Sequence, residues 1–381
     1  MHYTMSTPCP HKIVINILRE KKMIKTKLCE MLGMQYPIIQ APMGPYDTKE
    51  LAVAVTNAGG FGMASHPVPD PKFGIMAILQ DDETKMQAFE SVKVKLLNSL
   101  RHIASNAKGN FGVNFRVAPV QSDVPMLLDE VITEREKNPA LRKKLKVVVC
   151  SAGDPTQPYL KKIQEAGMLR FHTVPSVYHA KKAEKSGVDG IVCTGFEAGG
   201  HVAHEPLHTF VIVPEVIKSV KVPVAAGGGV CDGRGLAAML AFGAQAIYMG
   251  TRFIATKECE FNDKVKDAII NASVTFPRED PTIVTQGVYG PLRHFKNKFS
   301  FELAELTTKL KNKEITMLDV YKFESGATYR AKGPEGNIVD GAIWAGQVAL
   351  RLHEKLTCKQ VVDGIMAEAT ETMKSLGKMV A

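Results

Sequence analysis

The sequence lacks the short motifs of several large enzyme classes. It contains no GxGxxG after its first apolar run, no GxxxxGK[ST], no GxSxG and no HExxH. Each motif supplies a geometry that its chemistry needs, such as a glycine turn against a pyrophosphate or a pair of zinc-binding histidines. Their absence removes the main support for a Rossmann dehydrogenase, a P-loop enzyme, a serine hydrolase and a zinc protease.

Cysteine pairs and long apolar runs are also missing. The 7 cysteines are odd in number and widely spaced, and no two of them form a CxxC pair. This pattern argues against a disulfide framework or a cysteine-rich zinc site and is typical of reduced thiols. No stretch reaches the roughly 18 to 20 continuous apolar residues of a membrane span. We therefore expect a cytoplasmic protein with no membrane partner.

Aromatic residues are scarce, which bears on how the positive charge is interpreted. They make up 7% of the chain, while the formal net charge is +9. The basic residues lie in mixed-sign stretches such as Lys181–Lys185, and no basic run is interleaved with aromatic side chains that could stack on bases. We therefore expect a solvated surface and no nucleic-acid partner.

Short apolar runs alternate with stretches of helical period along the chain. Seven runs predict strands: Pro37–Gln40, Phe111–Val117, Lys146–Cys150, Arg170–Val174, Gly190–Thr194, Val222–Ala226 and Ala246–Met249. Amphipathic segments predict helices: Pro158–Ala166, Ser176–Ser186, Val213–Ser219 and Gly233–Phe242. Strands and helices that alternate every ~20 to 30 residues indicate βαβ units around a parallel sheet. A closed barrel and an open doubly wound sheet both fit this alternation.

Glycine-rich loops distinguish these two architectures. Gly227–Gly229 follow the sixth predicted strand, and Gly250 and Thr251 follow the seventh. In a (β/α)8 barrel the loops after the last two strands typically form a phosphate site. The helices that begin after these loops add the positive end of a helix dipole. We therefore predict an α/β protein built as a (β/α)8 TIM barrel, with a phosphate site at these loops.

Another glycine-rich loop carries the candidate reactive group. The segment Gly195–His201 follows the fifth predicted strand. Adjacent glycines let a backbone approach a flat ligand closely, and an imidazole titrates near neutral pH. We therefore predict that His201 reacts with the substrate, with an ordinary near-neutral pKa. His204 and His208 follow, but Pro206 breaks any helix between them, and we predict no metal site.

Two further strand ends offer ligand contacts. The first predicted strand ends in Gln40–Gly44, a run of small residues and one thioether that could lie under a planar ring. Asn114 stands at the carboxyl end of the second predicted strand. Its amide would point into the same cavity.

Three regions interrupt the regular pattern. Residues 1–22 show no clear core pattern and predict a disordered extension before a single barrel domain at 23–381. An irregular insertion at about 66–109 contains a helix-like run, Glu83–His102. Residues 253–345 are charged and mostly of helical pattern. They predict an inserted, mostly helical lid or subdomain.

Taken in order, these motifs resemble those of the nitronate monooxygenases (2-nitropropane dioxygenases) and the FMN-dependent enoyl-acyl-carrier-protein reductases. The segments that carry the resemblance are Pro37–Gly44, Gly112–Asn114, Glu197–His201, Val224–Gly229 and Gly250–Phe253. The likeness resumes at Gly341–Gln347, where Ala345-Gly346-Gln347 is similar to a late element of the family.

The resemblance implies an FMN that lies over the barrel mouth. Its phosphate would contact Gly228, Gly229, Gly250 and Thr251. Its ring would lie near Ala41, Pro42 and Met43, with Asn114, Gly199, Gly200 and Gln347 as further cofactor contacts. The family's catalytic histidine corresponds to His201. As a base it would deprotonate a nitroalkane, and as an acid it would protonate an enoyl α-carbon.

The resemblance leaves two activities open. The first is oxidation of an alkyl nitronate with dioxygen; the second is reduction of an enoyl thioester or a quinone by NADH or NADPH. Val202-Ala203 follow His201, where many nitronate monooxygenases have Arg-Gly and the enoyl reductases tend to have an apolar residue. We expect a small-molecule or acyl-thioester substrate, and a homodimer fits the pattern.

Two other classes remain as alternatives. A nucleotide-binding barrel of the inosine monophosphate dehydrogenase type would need a nucleophilic cysteine, and Cys231 lies on the wrong side of the glycine loop for this role. A non-catalytic flavin-binding module would have no need of the glycine-flanked His201.

Overall fold

The computed structural model describes residues 24–44, 46–70, 73, 82–118, 121–287, 290–332 and 336–380. The predicted disordered extension at 1–22 lies outside these residues. So does part of the predicted insertion at about 66–109.

Eight parallel strands form a closed barrel. Numbered along the chain, they are β1 Ile38–Gln40, β2 Gly62–Ser65, β3 Phe111–Arg116, β4 Leu145–Ser151, β5 Leu169–Val174, β6 Gly190–Thr194, β8 Val224–Gly227 and β9 Ala246–Met249. The parallel pairing runs from β2 to β9, and β9 pairs with β1. The ring closes where the Gln40 amide donates to the Phe61 carbonyl at 2.9 Å and the Phe61 amide donates to the Ile38 carbonyl at 2.9 Å. The closure decides for the barrel over the open sheet.

All seven predicted strands are present, with ends that agree within two residues. The sequence prediction missed β2. Its residues, Gly-Met-Ala-Ser, include no β-branched or aromatic side chain, and these are the side chains that mark strands in a sequence. The strand exists because all four of its residues are buried between β1 and β3.

The barrel interior is a packed apolar core. The side chains that fill it include Ile39, Phe61, Met63, Val147, Val149, Phe171, Val192, Ala225 and Ala246. The helix Lys27–Leu32 packs Leu28 and Leu32 into the same cluster. Its cap residue Thr26 donates to the Gln245 carbonyl at 2.6 Å, just before β9. Burial of each leucine contributes about 1.5–3 kcal/mol, so this helix stabilises the end of the barrel that does not carry the glycine loops.

Helices cover the outside of the barrel. They are Lys49–Asn57, Asp82–Asn106, Val124–Lys137, Pro139–Lys144, Lys161–Glu165, Val177–Lys185, Thr209–Ser219, Gly233–Ala241 and Cys358–Gly377. The helix Cys358–Gly377 packs tightly against the helix Gly233–Ala241, because a Cβ on Gly233 would lie 2.4 Å from the Ala369 amide nitrogen. Among the described residues, no helix is long and apolar enough to cross a membrane.

One predicted helix begins earlier than expected. The sequence prediction placed this amphipathic helix at Val213–Ser219. The observed helix begins at Thr209. The Glu197 carboxylate accepts from the Thr209 amide at 3.0 Å, so a residue from the preceding loop satisfies the helix end.

The region between β9 and the helix Cys358–Gly377 combines helices with a β-hairpin among the described residues. Its helices are Thr251–Ile254, Asp263–Ile270, Ala272–Thr275, Lys298–Lys311 and Met317–Lys332. It also contains an antiparallel hairpin that was not predicted, β10 Thr282–Gly287 and β11 Gly290–Phe295. The strand β11 pairs with β7, Gly200–His201, which ties the inserted region to the glycine-rich loop.

Candidate active site

A cavity of about 1060 Å³ opens at the carboxyl ends of the barrel strands. All of the predicted site residues except Gln347 line it: Ala41, Pro42, Met43, Asn114, Gly199, Gly200, His201, Gly228, Gly229, Gly250 and Thr251. These residues come from loops that are up to about 200 positions apart in the sequence. The barrel brings them together because parallel strands place all their carboxyl ends on one face.

The loop after β8 has the backbone geometry of an anion site. Gly228 and Gly229 have φ angles of 85° and 70°, a region that side chains other than glycine rarely adopt. A Cβ on Gly228 would lie 2.9 Å from the Gly195 carbonyl oxygen. Among the described residues, no protein acceptor pairs with the amides of Gly228 and Gly229. Successive amides in such a turn form a concave site for a phosphate.

Two buried hydroxyl groups in the cavity wall have no partner among the described residues. They are Thr194 Oγ1 on β6 and Tyr248 Oη on β9. Buried polar atoms almost always have a hydrogen-bond partner in folded proteins. The two hydroxyls therefore indicate that a polar ligand belongs in this part of the cavity.

His201 lies on the loop that the hairpin holds in place. Gly200, with a φ of 76°, turns the chain ahead of it, and His201 pairs with Leu292 on β11. Its side chain lines the cavity and is exposed there. Desolvation by the surrounding protein atoms lowers the pKa of His201 to about 4, and the charge of Arg116 contributes in the same direction. This lowered pKa differs from the near-neutral value expected from the sequence, and it leaves the imidazole a neutral proton acceptor at pH 7.

The late element around Gly346 acts through its backbone. A Cβ on Gly199 would lie 2.6 Å from the Ala345 carbonyl carbon, so the two loops touch main chain to main chain. The Gln347 amide nitrogen donates to the Glu197 carbonyl at 3.0 Å. The side chain of Gln347 donates to Asp280 instead of lining the cavity. This element thus fixes the shape of the loop that precedes His201.

A polar cluster in the cavity wall was not predicted from the sequence. Arg116, the last residue of β3, donates from Nη1 to the His66 carbonyl at 2.8 Å and from Nε to Gln121 Oε1 at 2.9 Å. His66 Nε2 lies 3.2 Å from Asp123 Oδ2. The sequence did contain one signal, a charged residue at the carboxyl end of an apolar strand. The other members, His66, Gln121 and Asp123, belong to no sequence motif that we recognised.

Aromatic and other apolar side chains also line the cavity. Tyr46, Phe261 and Trp344 form an aromatic group, with ring centroids 4.8 Å apart for the first pair and 5.8 Å for Tyr46 and Trp344. Across the cavity, Met86 and Met126 are 51% and 44% exposed. Exposed apolar side chains that rim a cavity are typical of a ligand-binding surface.

Comparison with known proteins assigns the family. The family model for nitronate monooxygenase matches residues 25–368. The chain belongs to the nitronate monooxygenase family.

Relatives of the chain carry names of oxidoreductases. A (3aS,4S,5R,7aS)-5-hydroxy-7a-methyl-1-oxo-octahydro-1H-indene-4-carboxyl-CoA dehydrogenase from Rhodococcus jostii is 30% identical, over 94% of this chain and 99% of that protein. A probable nitronate monooxygenase from Staphylococcus aureus is 28% identical, over 92% and 99% of the two chains. The solved structure of FabK from Thermotoga maritima superposes with a TM-score of 0.75 at 29% identity, covering 94% of this chain and all of that one.

The site fits the flavin that family members use. The concave turn at Gly228 and Gly229 suits a phosphate, and the orphaned hydroxyls of Thr194 and Tyr248 suit a polar ligand in the barrel mouth. Cys231, by contrast, is buried, and burial raises the pKa of its thiol to about 11. A thiol in this state is a poor nucleophile, which argues against chemistry of the inosine monophosphate dehydrogenase type.

Proposed function

We propose that this family member binds FMN and oxidises an alkyl nitronate with dioxygen, with His201 as the base that forms the nitronate from a nitroalkane. The observation that carries the proposal is a histidine with a lowered pKa in the wall of a cavity that Gly228 and Gly229 also line. FMN, when bound, supplies the electron transfer between substrate and dioxygen. The protein supplies binding, orientation and proton transfer.

The cofactor would be held by backbone groups. Gly228 and Gly229 would donate their amides to the phosphate, joined by Gly250 and Thr251 from the next strand end. The Thr251 hydroxyl already accepts from the Gly346 amide at 2.9 Å, so its side chain is fixed. The loop at 41–43 would contact the ring, and Asn114 and the Gly199–Gly200 pair would complete the contacts.

The base function follows from the charge state of His201. A base must be unprotonated, and a pKa of about 4 leaves the imidazole neutral at every pH from about 5 upward. The proton would come from the carbon bonded to the nitro group.

The test separates proton abstraction from the later oxidation. The protein is reconstituted with FMN, its absorbance spectrum is recorded, and oxygen uptake is measured with a nitroalkane and with the pre-formed nitronate. We expect His201→Asn to lower turnover of the nitroalkane by about 10²–10⁴-fold, while the nitronate, which needs no base, is still oxidised. Wild-type protein that binds no flavin, or that consumes no oxygen with either compound, would contradict the proposal.

A second candidate is reduction of an enoyl thioester by NADH or NADPH. The size and apolar wall of the cavity favour it, because single drug-sized ligands occupy pockets of about 300–1,000 Å³. A cavity of about 1060 Å³ with an aromatic group at Tyr46, Phe261 and Trp344 can hold a flavin and a bulky acyl group together. The names of the Rhodococcus dehydrogenase and of FabK also favour this second candidate.

Anaerobic addition of NADH and NADPH to the FMN-loaded protein distinguishes the candidates. Loss of the oxidised flavin spectrum supports the reductase. An unchanged spectrum with both nucleotides excludes it and leaves nitronate oxidation.

A further inference from the structure

The loop that carries His201 is held by an arginine from the inserted region. Arg293 on β11 is buried, and two of its guanidinium nitrogens donate to the same acceptor, the Phe196 carbonyl: Nη2 at 2.9 Å and Nε at 3.2 Å. The same guanidinium lies over the Phe196 ring, 5.0 Å from its centroid. Arg293 therefore contacts both the backbone and the side chain of the second residue of the segment Gly195–His201.

The third guanidinium nitrogen of Arg293 is paired within the inserted region. Its Nη1 donates to Thr282 Oγ1 at 2.7 Å and lies 3.4 Å from Asp280 Oδ2. The Thr282 hydroxyl donates in turn to Asp280 Oδ1 at 2.6 Å. Each nitrogen of the guanidinium thus has an acceptor, and a carboxylate compensates its charge. A buried arginine that is paired in this way has a fixed orientation.

The carboxylate of Asp280 connects Arg293 to a second contact with the same loop. Asp280 Oδ2 accepts from the Gln347 side chain, and the Gln347 backbone amide donates to the Glu197 carbonyl at 3.0 Å. Two adjacent carbonyls of the loop, those of Phe196 and Glu197, are therefore bonded to one polar network. The two glycines that follow them leave the backbone flexible unless outside contacts hold it.

We infer, resting on the proposed function, that Arg293 is a positioning residue for His201: it holds the Phe196 carbonyl so that the imidazole stays in place to accept the substrate's proton. Arg293 also pairs with Gly200 between β11 and β7, one residue before His201. It thus holds the segment near both of its ends. A displacement of about 1 Å in a reacting group can lower a rate by about 100-fold, and a glycine pair without this support would permit such a displacement.

The test compares two reactions that differ in their need for a base. Oxygen uptake by the FMN-loaded protein is measured with a nitroalkane and with the pre-formed nitronate. Arg293→Met removes the N–H donors and the charge, and Arg293→Lys keeps the charge and one donor group. The control is Arg170→Met. Arg170 is also buried and donates to backbone carbonyls, those of Pro155 at 3.2 Å and of Ser186, but it is not among the described residues that line the cavity.

We expect Arg293→Met to lower kcat/KM for the nitroalkane by about 10- to 100-fold and to leave nitronate oxidation nearly unchanged. Arg293→Lys should recover part of the loss. Loss of folded protein would lower both rates in the same proportion, so a purely structural role predicts an unchanged ratio of the two rates. Arg170→Met should reduce the free energy of unfolding and keep the wild-type ratio.

A second readout does not depend on the flavin. In the cofactor-free protein, acylation of His201 by diethyl pyrocarbonate is followed by mass spectrometry as a function of pH, because only the neutral imidazole reacts. The lowered pKa of His201 predicts an even reaction from about pH 5 to 7 in the wild type. In Arg293→Met the reaction should decline below about pH 6.5, since an imidazole that moves into water recovers its ordinary pKa.

The outcomes separate this inference from the function on which it rests. An unchanged ratio of the two rates in Arg293→Met, or an acylation profile like that of the wild type, contradicts the positioning role. If the wild type binds no flavin or consumes no oxygen, the proposed function is wrong, and the acylation profile still tests whether Arg293 positions His201. Should Arg293→Met fail to fold, Asp280→Asn removes the charge partner of Arg293 from a partly exposed position and should give the same two changes.

Discussion

The turn at Gly228, which we propose binds the FMN phosphate, allows a quantitative test through Gly228→Ala. Gly228 has a φ of 85°, and a Cβ there would lie 2.9 Å from the Gly195 carbonyl oxygen and 3.1 Å from Thr209 Oγ1. The left-handed conformation costs a side chain about 1–2 kcal/mol. The carbonyl oxygen belongs to the backbone and cannot rotate away, so the loop must shift as well. We expect a total cost of about 2–3 kcal/mol in the FMN-bound state.

This cost can appear in the free energy of unfolding or in the Kd of FMN. If the turn keeps its shape without FMN, the free energy of unfolding of the cofactor-free protein falls by the full amount. If the turn relaxes, the cost appears when FMN binds, and 2–3 kcal/mol weakens the Kd by about 30- to 150-fold. Urea unfolding of the cofactor-free protein measures the change in the free energy of unfolding. Titration of FMN by its fluorescence quenching measures the change in the free energy of binding. In a thermodynamic cycle the two changes add up to the total cost in the FMN-bound state.

Gly364→Ala is the matched control. Gly364 lies within the helix Cys358–Gly377, and a Cβ there would have nothing within 4 Å. The same chemical change should stabilise the protein by about 0.5–1 kcal/mol, because glycine weakens a helix interior, and leave the Kd of FMN unchanged. If Gly228→Ala proves as stable as the wild type and binds FMN equally well, Gly228 does not adopt the constrained turn described above.

Four further predictions concern neighbouring groups. In the wild type, kcat/KM for a nitroalkane should be flat near neutral pH and fall as the pH drops through about 4, where His201 gains a proton and can no longer act as the base; a limb near pH 6.5 in the pH profile would contradict the lowered pKa. Gly44→Ala should reduce the free energy of unfolding in urea titrations by about 1–3 kcal/mol, because the new Cβ would lie 2.6 Å from Arg116 Nη1 and 3.3 Å from the His66 carbonyl oxygen. Glu197→Gln should reduce the free energy of unfolding by about 1 kcal/mol in urea titrations, since a charge-assisted helix cap is lost. Cys231→Ala should leave turnover intact in steady-state assays, and its inactivation would revive a covalent mechanism through this thiol.

Much of the architecture could be predicted from local sequence patterns. The alternation of strands and helices, and the glycines at the ends of the last two strands, predicted a barrel, which the structure confirms, and a phosphate site, which stays a prediction. Both signals are local in the sequence. Glycine permits a positive φ wherever it stands, and a short apolar run predicts a buried strand without knowledge of the segments that cover it. The strand β2 escaped detection because its Gly-Met-Ala-Ser sequence gains its structure only from burial between neighbours.

Other features of the site depend on contacts between distant segments. The hairpin at 282–295 gave no recognisable strand pattern, yet it pairs with His201 and sets the position of that side chain. Gln347 was predicted as a cofactor contact, but the fold uses its amide to hold the Glu197 carbonyl and turns its side chain toward Asp280.

The sequence by itself determined the fold class, the family and the identity of the candidate base. Only the tertiary structure decided the charge state of His201 and the place of Arg116 near it. A pKa is set by how completely the surroundings exclude water and by which charges lie nearby. Both depend on residues as far apart in the sequence as Arg116 and His201, and only barrel closure brings their strand ends to a common mouth.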